Sequence, residues 1–292
     1  MNNYHIPVLL QEVLQYLEIK PGGSYIDATL GGGGHTLEII KNGGRVLGID
    51  TDDDAINYVT SNLKDLGSKV QDLVLAKGNF TDIVSIAKEN GFDQVDGIMM
   101  DLGVSSHQFD TPERGFSFQP GPLDMRMSQT ISVTAADLIN GLTEKELVEL
   151  FTRLGEEPFA KKIARLIVET RKHEPIRTTD QLAGMIKALL HGTDGIHPAT
   201  RVFQALRIAV NDELNVLRDS LPQAVGLLKP GGRLLIISFH SLEDRIVKQA
   251  FTQFENQGLG KILTQKPVTA SDTEVLQNRR ARSAKLRVFE KV

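Results

Sequence analysis

The strongest indication of the fold lies in residues 27–37, which read Asp27-Ala28-Thr29-Leu30-Gly31-Gly32-Gly33-Gly34-His35-Thr36-Leu37. It follows a short strand-like run, residues 24–26, and leads into an apolar-periodic segment that predicts a helix. Glycine has no Cβ and the start of a helix carries unpaired N–H groups, so a strand, a glycine loop and a helix in this order favour binding of a nucleotide-like ligand. A flexible turn in any α/β protein is the alternative interpretation of the loop alone.

The spacing of the glycines narrows the class of ligand. A dinucleotide-binding Gly-x-Gly-x-x-Gly motif counted from Gly31 would need its third glycine at Thr36. A P-loop needs Lys followed by Ser or Thr, and this loop contains no lysine. The acidic Asp27 at the end of the strand suits a ligand with positive charge and ribose hydroxyls, and it repels a pyrophosphate. S-adenosylmethionine, which carries a sulfonium and an ammonium group, fits these requirements.

The composition is that of an ordinary globular protein, with 292 residues, 40% hydrophobic and 24% charged. There is no cysteine, which excludes disulfides, Cys-ligated zinc and a Cys nucleophile for methylating carbon 5 of a pyrimidine. Any methyl transfer should therefore go directly to a heteroatom. The N-terminus does not resemble a signal peptide and no stretch is long enough to span a bilayer, so we expect a cytoplasmic protein with no membrane partner.

The charge is distributed unevenly along the chain. The net charge of −4 argues against a protein that coats nucleic acid non-specifically. The C-terminal segment is nevertheless basic, with Arg279, Arg280, Arg282, Lys285, Arg287 and Lys291. A solvated tail is the commoner meaning of such a segment, and a patch that contacts phosphates is the alternative.

The first 102 residues alternate strand and helix patterns, which predicts a parallel sheet covered on both faces. Strands are predicted at 24–28, 45–50, 73–76 and 95–102, with helices at 8–17, 53–66 and 83–88. Residues 103–130 then lack periodicity and are rich in Gly, Pro, Ser and Asp, which is typical of a functional or disordered loop.

A segment without strand patterns follows this loop. Helices are predicted near 133–139, 143–153, 158–171, 179–190 and 201–221, before a fifth strand at 234–238. We therefore predict an α/β domain made of residues 1–109 and 206–292, with an inserted α-helical domain at 110–205.

Candidate functional residues follow the strands, because ligands of open parallel sheets bind outside the carboxyl ends of the strands. Asp50 ends the second strand at a spacing that suits a carboxylate accepting from ribose hydroxyls, although such a residue alone is often a turn or cap residue. Phe80 follows the third strand and could cover an adenine face or belong to the core. Asp101 ends a strongly apolar strand, where a carboxylate is costly unless it is paired, so a functional role is favoured.

Four further residues are candidates for contact with a nucleic-acid substrate. His240 follows the fifth strand and could bind substrate, while Ser241 is predicted to cap the next helix. His5, Arg114 and Phe116 supply charge and stacking surface for a nucleobase and phosphates. Each of these is weak evidence when taken singly.

Six blocks of sequence carry a resemblance to a known family. They are residues 5–10, 31–35, 101–108, 114–118, 122–127 and 238–245. Together they resemble the MraW family of bacterial 16S ribosomal RNA cytosine-N4 methyltransferases over nearly the whole chain. The resemblance implies an α/β fold with a Rossmann-like S-adenosylmethionine-dependent methyltransferase sheet and an inserted helical domain for substrate recognition. One departure is Gly32, where relatives often carry another residue.

The resemblance also implies the cofactor, the substrate and the site. The implied substrate is a decoding-centre cytosine in 16S rRNA of the assembled small ribosomal subunit. The implied contacts to S-adenosylmethionine are Gly33, Gly34, His35, Asp50, Phe80, Asp101 and Gln108, with no metal. We expect Asp101, or a main-chain carbonyl beside it, to align the cofactor with the cytosine amine. The sequence does not determine the oligomeric state, and a homodimer is one of the alternatives.

Three other functions stay open at the level of sequence. The chain could methylate a small molecule or a protein, with the insertion acting as a lid. It could be a non-catalytic binding or assembly module. A nicotinamide-dependent oxidoreductase is disfavoured because the third glycine of the dinucleotide motif is missing.

Overall fold

A computed structural model of the chain describes residues 7–62, 69–190, 195 and 197–292. The chain forms two compact units, one of Met1–Ser105 with Leu214–Val292 and the other of Ser106–Glu213. The domain boundaries predicted from the sequence fall after residues 109 and 205, whereas these units divide after residues 105 and 213. The single helix predicted near 201–221 is wrong, because Asp212 adopts a left-handed backbone with φ 51° and separates two helices there.

The described residues of the first unit form seven strands and the helices around them. The strands are β1 (Ser24–Asp27), β2 (Arg45–Asp50), β3 (Leu73–Lys77), β4 (Val95–Asp101), β5 (Leu228–Ser238), β6 (Gly260–Ile262) and β7 (Lys285–Lys291). The helices are α1 (Leu10–Leu17), α2 (Gly34–Lys41), α3 (Asp53–Ser61), α4 (Ile83–Glu89), α12 (Ser241–Asn256) and α13 (Asp272–Gln277), with α11 (Glu213–Leu227) beginning at the boundary. The first four predicted strands are confirmed to within one residue at each end.

The strands form one sheet in the order β3-β2-β1-β4-β5-β7-β6. The five strands from β3 to β5 are parallel, and β7 runs antiparallel to both β5 and β6. The chain leaves β1 in one direction to form β2 and β3, then returns to place β4 on the other side of β1. This reversal between β1 and β4 is the position at which open α/β sheets bind ligands, so the predicted α/β fold class is confirmed.

One face of this sheet carries three carboxylates at its carboxyl edge. Asp27 at the end of β1 pairs with Gly48 of β2 and with Met99 of β4. Asp50 and Asp101 lie two residues beyond those partners, and side chains two residues apart on a strand share a face. Asp27, Asp50 and Asp101 therefore project from the same face. The apolar cluster on that face includes Val13, Tyr25, Ile39, Val46, Met99, Leu235 and Leu286.

The basic C-terminal segment is not a solvated tail, which corrects that expectation. β7 forms hydrogen bonds with β5 from the Ser238–Lys285 pair to the Arg233–Glu290 pair, and Leu286, Val288 and Phe289 are fully buried. Arg287 is buried as well, and its guanidinium donates to Asp244 with Nε to Oδ1 at 2.6 Å. The number of basic residues in this segment obscured its alternation of charged and apolar side chains, which is the pattern of a strand.

The second unit is helical and has its own core. Its helices are α5 (Ser106–Asp110), α6 (Ala135–Gly141), α7 (Glu144–Gly155), α8 (Ala160–Arg171), α9 (Thr179–Leu190) and α10 (Thr200–Asn211). The side chains of Ile139, Leu147, Phe151, Ile163, Ile167 and Leu206 are fully buried. Thr143 and Glu146 form the capping box that begins α7.

No helix in the described part of the chain is long and apolar enough to cross a membrane.

Candidate active site

The glycine loop between β1 and α2 is held in place by main-chain contacts. Gly33 has φ 74° and forms the N-cap of α2, and a Cβ there would approach Val59 Cγ2 to 3.0 Å. Its N–H donates to the carbonyl of Leu30 at 2.7 Å. The loop can adopt this tight turn because glycine tolerates positive φ, and the turn leaves the first N–H groups of α2 facing outward from the helix start. Gly33 and Gly34 lie at this turn, and their contact with the cofactor stays a prediction.

Asp50 ties the end of β2 to this loop. Its Oδ2 accepts from the N–H of Gly31 at 2.8 Å and its Oδ1 accepts from the N–H of Asp52 at 2.9 Å. Burial raises the pKa of Asp50 to about 6, and the two N–H donors oppose that rise. Each oxygen keeps a second lone pair, so the carboxylate can still accept hydrogen bonds from a ligand.

Asp27 at the end of β1 is almost completely buried, with 1% of its surface exposed. Its Oδ2 accepts from the Thr36 hydroxyl at 2.7 Å, and its Oδ1 accepts from the N–H of Thr29 at 3.3 Å. Burial raises its pKa to about 6, and the nearby charge of Asp50 adds to the effect. Asp27 therefore supports the loop while adding negative charge to the edge of the sheet.

Asp101 at the end of β4 differs from the other two carboxylates because it accepts no hydrogen bond from the described residues. Its Oδ1 is shielded from solvent and has no partner among them. Its main-chain N–H donates to the Thr29 hydroxyl oxygen at 2.6 Å, which fixes the backbone beside the loop. Burial raises the pKa of Asp101 well above its usual value, and the charges of Asp27 and Glu243 raise it further. A carboxylate oxygen that is shielded from water and has no partner among the described residues is costly, and a cationic or N–H-bearing ligand would relieve that cost.

His240 follows β5 and caps α12, which corrects the prediction that Ser241 is the cap. The ring Nδ1 of His240 accepts from the N–H of Glu243 at 3.4 Å, and Glu243 Oε2 accepts from the N–H of Phe239 at 2.8 Å. The ring Nε2 lies 3.1 Å from Glu243 Oε1. Because Nδ1 accepts a hydrogen bond, the proton of a neutral ring is on Nε2, which is shielded from solvent and makes no hydrogen bond with the described residues. A substrate contact by His240 stays a prediction.

Phe80 lies at the carboxyl edge beyond β3. It begins the short 3-10 helix Phe80–Asp82, which Asn79 caps by accepting from the N–H of Thr81 at 3.1 Å. Asp50 pairs with Lys77 in the sheet, three residues before Phe80. The ring is half-buried, so one part packs and the other is available for stacking.

The two predicted histidines near the N-terminus have different outcomes. His35 is buried in the first turn of α2, and its Nε2 donates to the carbonyl of Val8 at 3.0 Å. Its side chain therefore joins α2 to the segment before α1, and its main-chain N–H is the group available to a ligand at the helix start. His5 lies outside the described residues.

The remaining predicted residues belong to the helical unit. Gln108 lies in α5 and is 5% exposed. Arg114 is buried, and its guanidinium donates to the carbonyls of Arg126 and Met127 at 3.2 and 2.9 Å. Phe116 is also buried, at 6% exposure. Arg114 thus fastens the long loop from inside, a role its position in an irregular segment did not reveal.

Two residues at the edge were not singled out from the sequence. Glu243 is 2% exposed and its charge acts on Asp101, but its position in the first turn of a helix made it look like an ordinary capping residue. Thr29 joins the loop to β4 through its hydroxyl. Its place two residues after a strand-end Asp was the available signal.

The family model described as the MraW methylase family matches residues 2–292. A protein of Carboxydothermus hydrogenoformans named ribosomal RNA small subunit methyltransferase H is 47% identical over 307 residues, covering 99% of this chain and 98% of that protein. Proteins of the same name from Halothermothrix orenii and Geobacter sulfurreducens are each 48% identical, over 99% of this chain and 98% and 99% of theirs.

Among solved structures, an rRNA methylase from Streptococcus thermophilus has a TM-score of 0.47 and 10% identity over 99% of both chains, a level that supports no further conclusion. The family match spans nearly the full sequence and includes the glycine loop, β4 with Asp101 and the end of β5. This chain belongs to the MraW methylase family.

Proposed function

We propose that this protein transfers a methyl group from S-adenosylmethionine to the exocyclic N4 of a decoding-centre cytosine in 16S rRNA. The observation that carries the proposal is the carboxylate of Asp101, which accepts no hydrogen bond from the residues that the structure describes. It lies at the switch point of a sheet whose edge also bears Asp27 and Asp50. Membership of the MraW methylase family, and relatives named ribosomal RNA small subunit methyltransferase H, support the acceptor class.

The acidic edge fits the methyl donor. S-adenosylmethionine supplies, when bound, a methyl group on a positively charged sulfur. Gly33, Gly34 and the N–H of His35 give the backbone approach at the helix start, and Asp50 offers acceptor lone pairs to ribose hydroxyls. Phe80 offers a half-buried ring for stacking. A contact of Gln108 with the cofactor stays part of the proposal.

The absence of cysteine supports a nitrogen acceptor. Carbon 5 of cytosine needs covalent activation by a Cys nucleophile before it can be methylated, and this chain has none. The N4 amine is a poor nucleophile because its lone pair is conjugated with the ring. A hydrogen-bond acceptor at the amine turns that lone pair toward the reacting carbon and stabilises the positive charge that develops on nitrogen.

Asp101, or a main-chain carbonyl beside it, is the proposed acceptor and positioning group. Without a ligand, burial and the like charges of Asp27 and Glu243 favour its protonated form. A positive charge brought next to the carboxyl lowers its pKa and restores the ionised acceptor. Cofactor binding and readiness of the acceptor are coupled in this way, and much of the rate would come from alignment.

The helical unit is the proposed substrate-recognition domain, acting on RNA within the small subunit. An assembled ribosomal surface can be recognised by shape and local contacts, which reconciles an RNA substrate with the acidic net charge of −4. The same proposal includes substrate contacts by His240 and Phe116 and a cytoplasmic location. Arg114 contributes to it by holding the long loop in place.

The test is transfer of labelled methyl groups to small ribosomal subunits that lack the modification. Label should enter 16S rRNA in these subunits and should not enter small molecules or proteins of extracts stripped of RNA. Label in either of the latter, and none in rRNA, would select the small-molecule or protein methyltransferase. Binding of S-adenosylmethionine without a methylated product from any ribosomal particle would select the non-catalytic module.

A further inference from the structure

The basic segment before β7 forms a compact, regular surface. Residues Arg279–Ser283 make a 3-10 helix whose N-cap, Asn278, accepts from the N–H of Arg280 at 3.2 Å. Ala281 and Ala284 are 0% and 1% exposed and pack in the apolar cluster of the sheet face. The small alanine side chains let this helix lie close against the core, so its backbone is firmly seated.

The period of a 3-10 helix explains which arginines face solvent. Side chains three residues apart lie on the same edge of such a helix. Ala281 and Ala284 share the buried edge, so Arg279 and Arg282 share another. Both of these arginines are exposed, and neither guanidinium has a hydrogen bond or ion pair with any residue that the structure describes. Their backbone positions lie about 6 Å apart along the helix axis, from the ~2 Å rise per residue.

This arginine pair lies at the edge of the sheet where the carboxylates are found. Ser238, the last residue of β5, pairs with Lys285, the first residue of β7. The carboxyl edge of the parallel strands is therefore also the edge at which β7 begins. The 3-10 helix ends at Ser283, and only Ala284 separates it from the start of β7. The arginine pair is therefore held at that edge.

The neighbouring cations are already used within the protein, which distinguishes them from the pair. Arg287 is buried against Asp244, and Lys285 lies 3.6 Å from the same carboxylate. Two unpaired guanidinium groups on a seated helix, in a chain of net charge −4, indicate a local site for anions. Guanidinium groups bind phosphate oxygens with matched, charge-assisted hydrogen bonds.

We propose that Arg279 and Arg282 contact phosphates of the rRNA backbone beside the methylated cytosine, which rests on the proposed function. The pair positions the RNA at the edge that holds Asp101 and carries no base specificity. The basic segment thus serves as the phosphate-contacting patch that its composition suggested as an alternative to a tail.

The test is binding and methylation of unmodified small subunits by the double variant Arg279→Gln/Arg282→Gln. Each lost phosphate contact reduces the slope of log affinity against log salt by about 0.7 to 0.9, so the slope should fall in magnitude by about 1.4 to 1.8. The KM for subunits should rise roughly tenfold at moderate salt while kcat at saturating subunits is kept. Affinity for S-adenosylmethionine and the thermal midpoint should be unchanged.

A matched control removes two cations from the opposite edge. Lys41 and Lys88 lie in the last turns of α2 and α4, which lead into the amino ends of β2 and β4. Both are exposed, so Lys41→Gln/Lys88→Gln makes the same change in net charge. This variant should keep the wild-type KM and nearly the wild-type salt slope.

Three outcomes would overturn the proposal. The arginine variant could keep the wild-type KM and salt slope while wild type methylates rRNA. Both double variants could lose affinity equally, which would make net charge the cause. The arginine variant could bind intact subunits weakly yet bind free 16S rRNA with an unchanged slope, which would make an acidic ribosomal protein the partner. Failure of the proposed function is distinct, because wild type would then methylate no rRNA.

Discussion

Replacing Asp101 with Asn should stabilise the unliganded protein and weaken its response to S-adenosylmethionine. The Asp101 carboxyl accepts no hydrogen bond from the described residues and lies near the charges of Asp27 and Glu243, which raise its pKa together with burial. Removing its charge relieves that repulsion without breaking a hydrogen bond. The same change removes the negative charge that we propose lies beside the cationic ligand, and it replaces one acceptor oxygen with an NH2 donor.

The sign of the pH dependence follows from the raised pKa of Asp101. The folded state holds the proton to a higher pH than the unfolded chain, whose pKa is about 3.9. The cost of the carboxyl is therefore absent below about pH 4 and grows as pH rises toward the folded-state pKa. An unsatisfied shielded polar group costs about 1–3 kcal/mol and more when it is charged, and the neutral Asn amide removes only the part due to the charge. Asp101→Asn should therefore gain on the order of 1 kcal/mol at pH 8 and nothing near pH 4.

The ligand effect has the opposite sign. At a ligand concentration of 100 times the wild-type Kd, binding stabilises the folded state by about 2.7 kcal/mol. If the variant binds 100-fold more weakly, the same concentration equals its Kd and the stabilisation falls to about 0.4 kcal/mol. Unfolding in urea, followed with and without S-adenosylmethionine at pH 8 and pH 4, measures both quantities.

Asp96 is the matched control because it lies near the amino end of the same strand. Its Oδ2 accepts from Lys229 Nζ at 2.6 Å and from the N–H of Ser24 at 3.0 Å, and these partners hold its pKa below the usual value. Asp96→Asn should destabilise the protein at pH 8 and leave the ligand effect unchanged. If Asp101→Asn fails to stabilise the unliganded protein at pH 8, the charge of Asp101 is not destabilising. If the variant keeps the full ligand effect, Asp101 does not contact the ligand.

Three further predictions concern the loop, the edge and the C-terminal strand. Gly33→Ala should lower the free energy of unfolding in urea by about 1–2 kcal/mol because the φ angle of Gly33 is 74°. Gly226→Ala, which adds a Cβ in open space within α11, should be neutral or stabilising, and equal effects of the two changes would contradict the role of Gly33 in the backbone turn. Lowering the pH from 7 to 5 takes Asp50 through its pKa of about 6, so calorimetry should show affinity for S-adenosylmethionine falling about tenfold, and a flat profile would exclude an ionised Asp50 as acceptor. Arg287→Met leaves Asp244 without its main partner and should cost about 3 kcal/mol in urea unfolding, and a loss below about 1 kcal/mol would show that the pair is not important for stability.

The parallel part of the sheet could be predicted because local and global signals agree there. β2 and β4 are nearly continuous apolar runs that end in Asp50 and Asp101, and only a sheet covered on both faces buries such strands. The alternation of side chains along those strands then fixes Asp27, Asp50 and Asp101 on one face. The acidic character of the edge could therefore be predicted from the amino-acid sequence alone.

The parts that could not be predicted depend on tertiary contacts. β7 alternates charged and apolar residues, and its arginine is buried only because Asp244 of α12 lies beside it. Arg114 was predicted from the sequence to contact the nucleic-acid substrate, but its guanidinium donates to main-chain carbonyls of the long loop. His240 caps α12 because the Glu243 side chain returns to the N–H groups before it, a pattern usually predicted for Ser or Thr.

The most direct test of the account is mass spectrometry of nucleosides from unmodified small subunits treated with the protein and S-adenosylmethionine. We expect N4-methylcytidine in 16S rRNA, at a decoding-centre cytosine, with the wild-type protein, and a strong loss of this product with Asp101→Ala. A methyl group on carbon 5 of cytosine or on another base would contradict it. So would full N4-methylcytidine formation by Asp101→Ala with unchanged cofactor affinity.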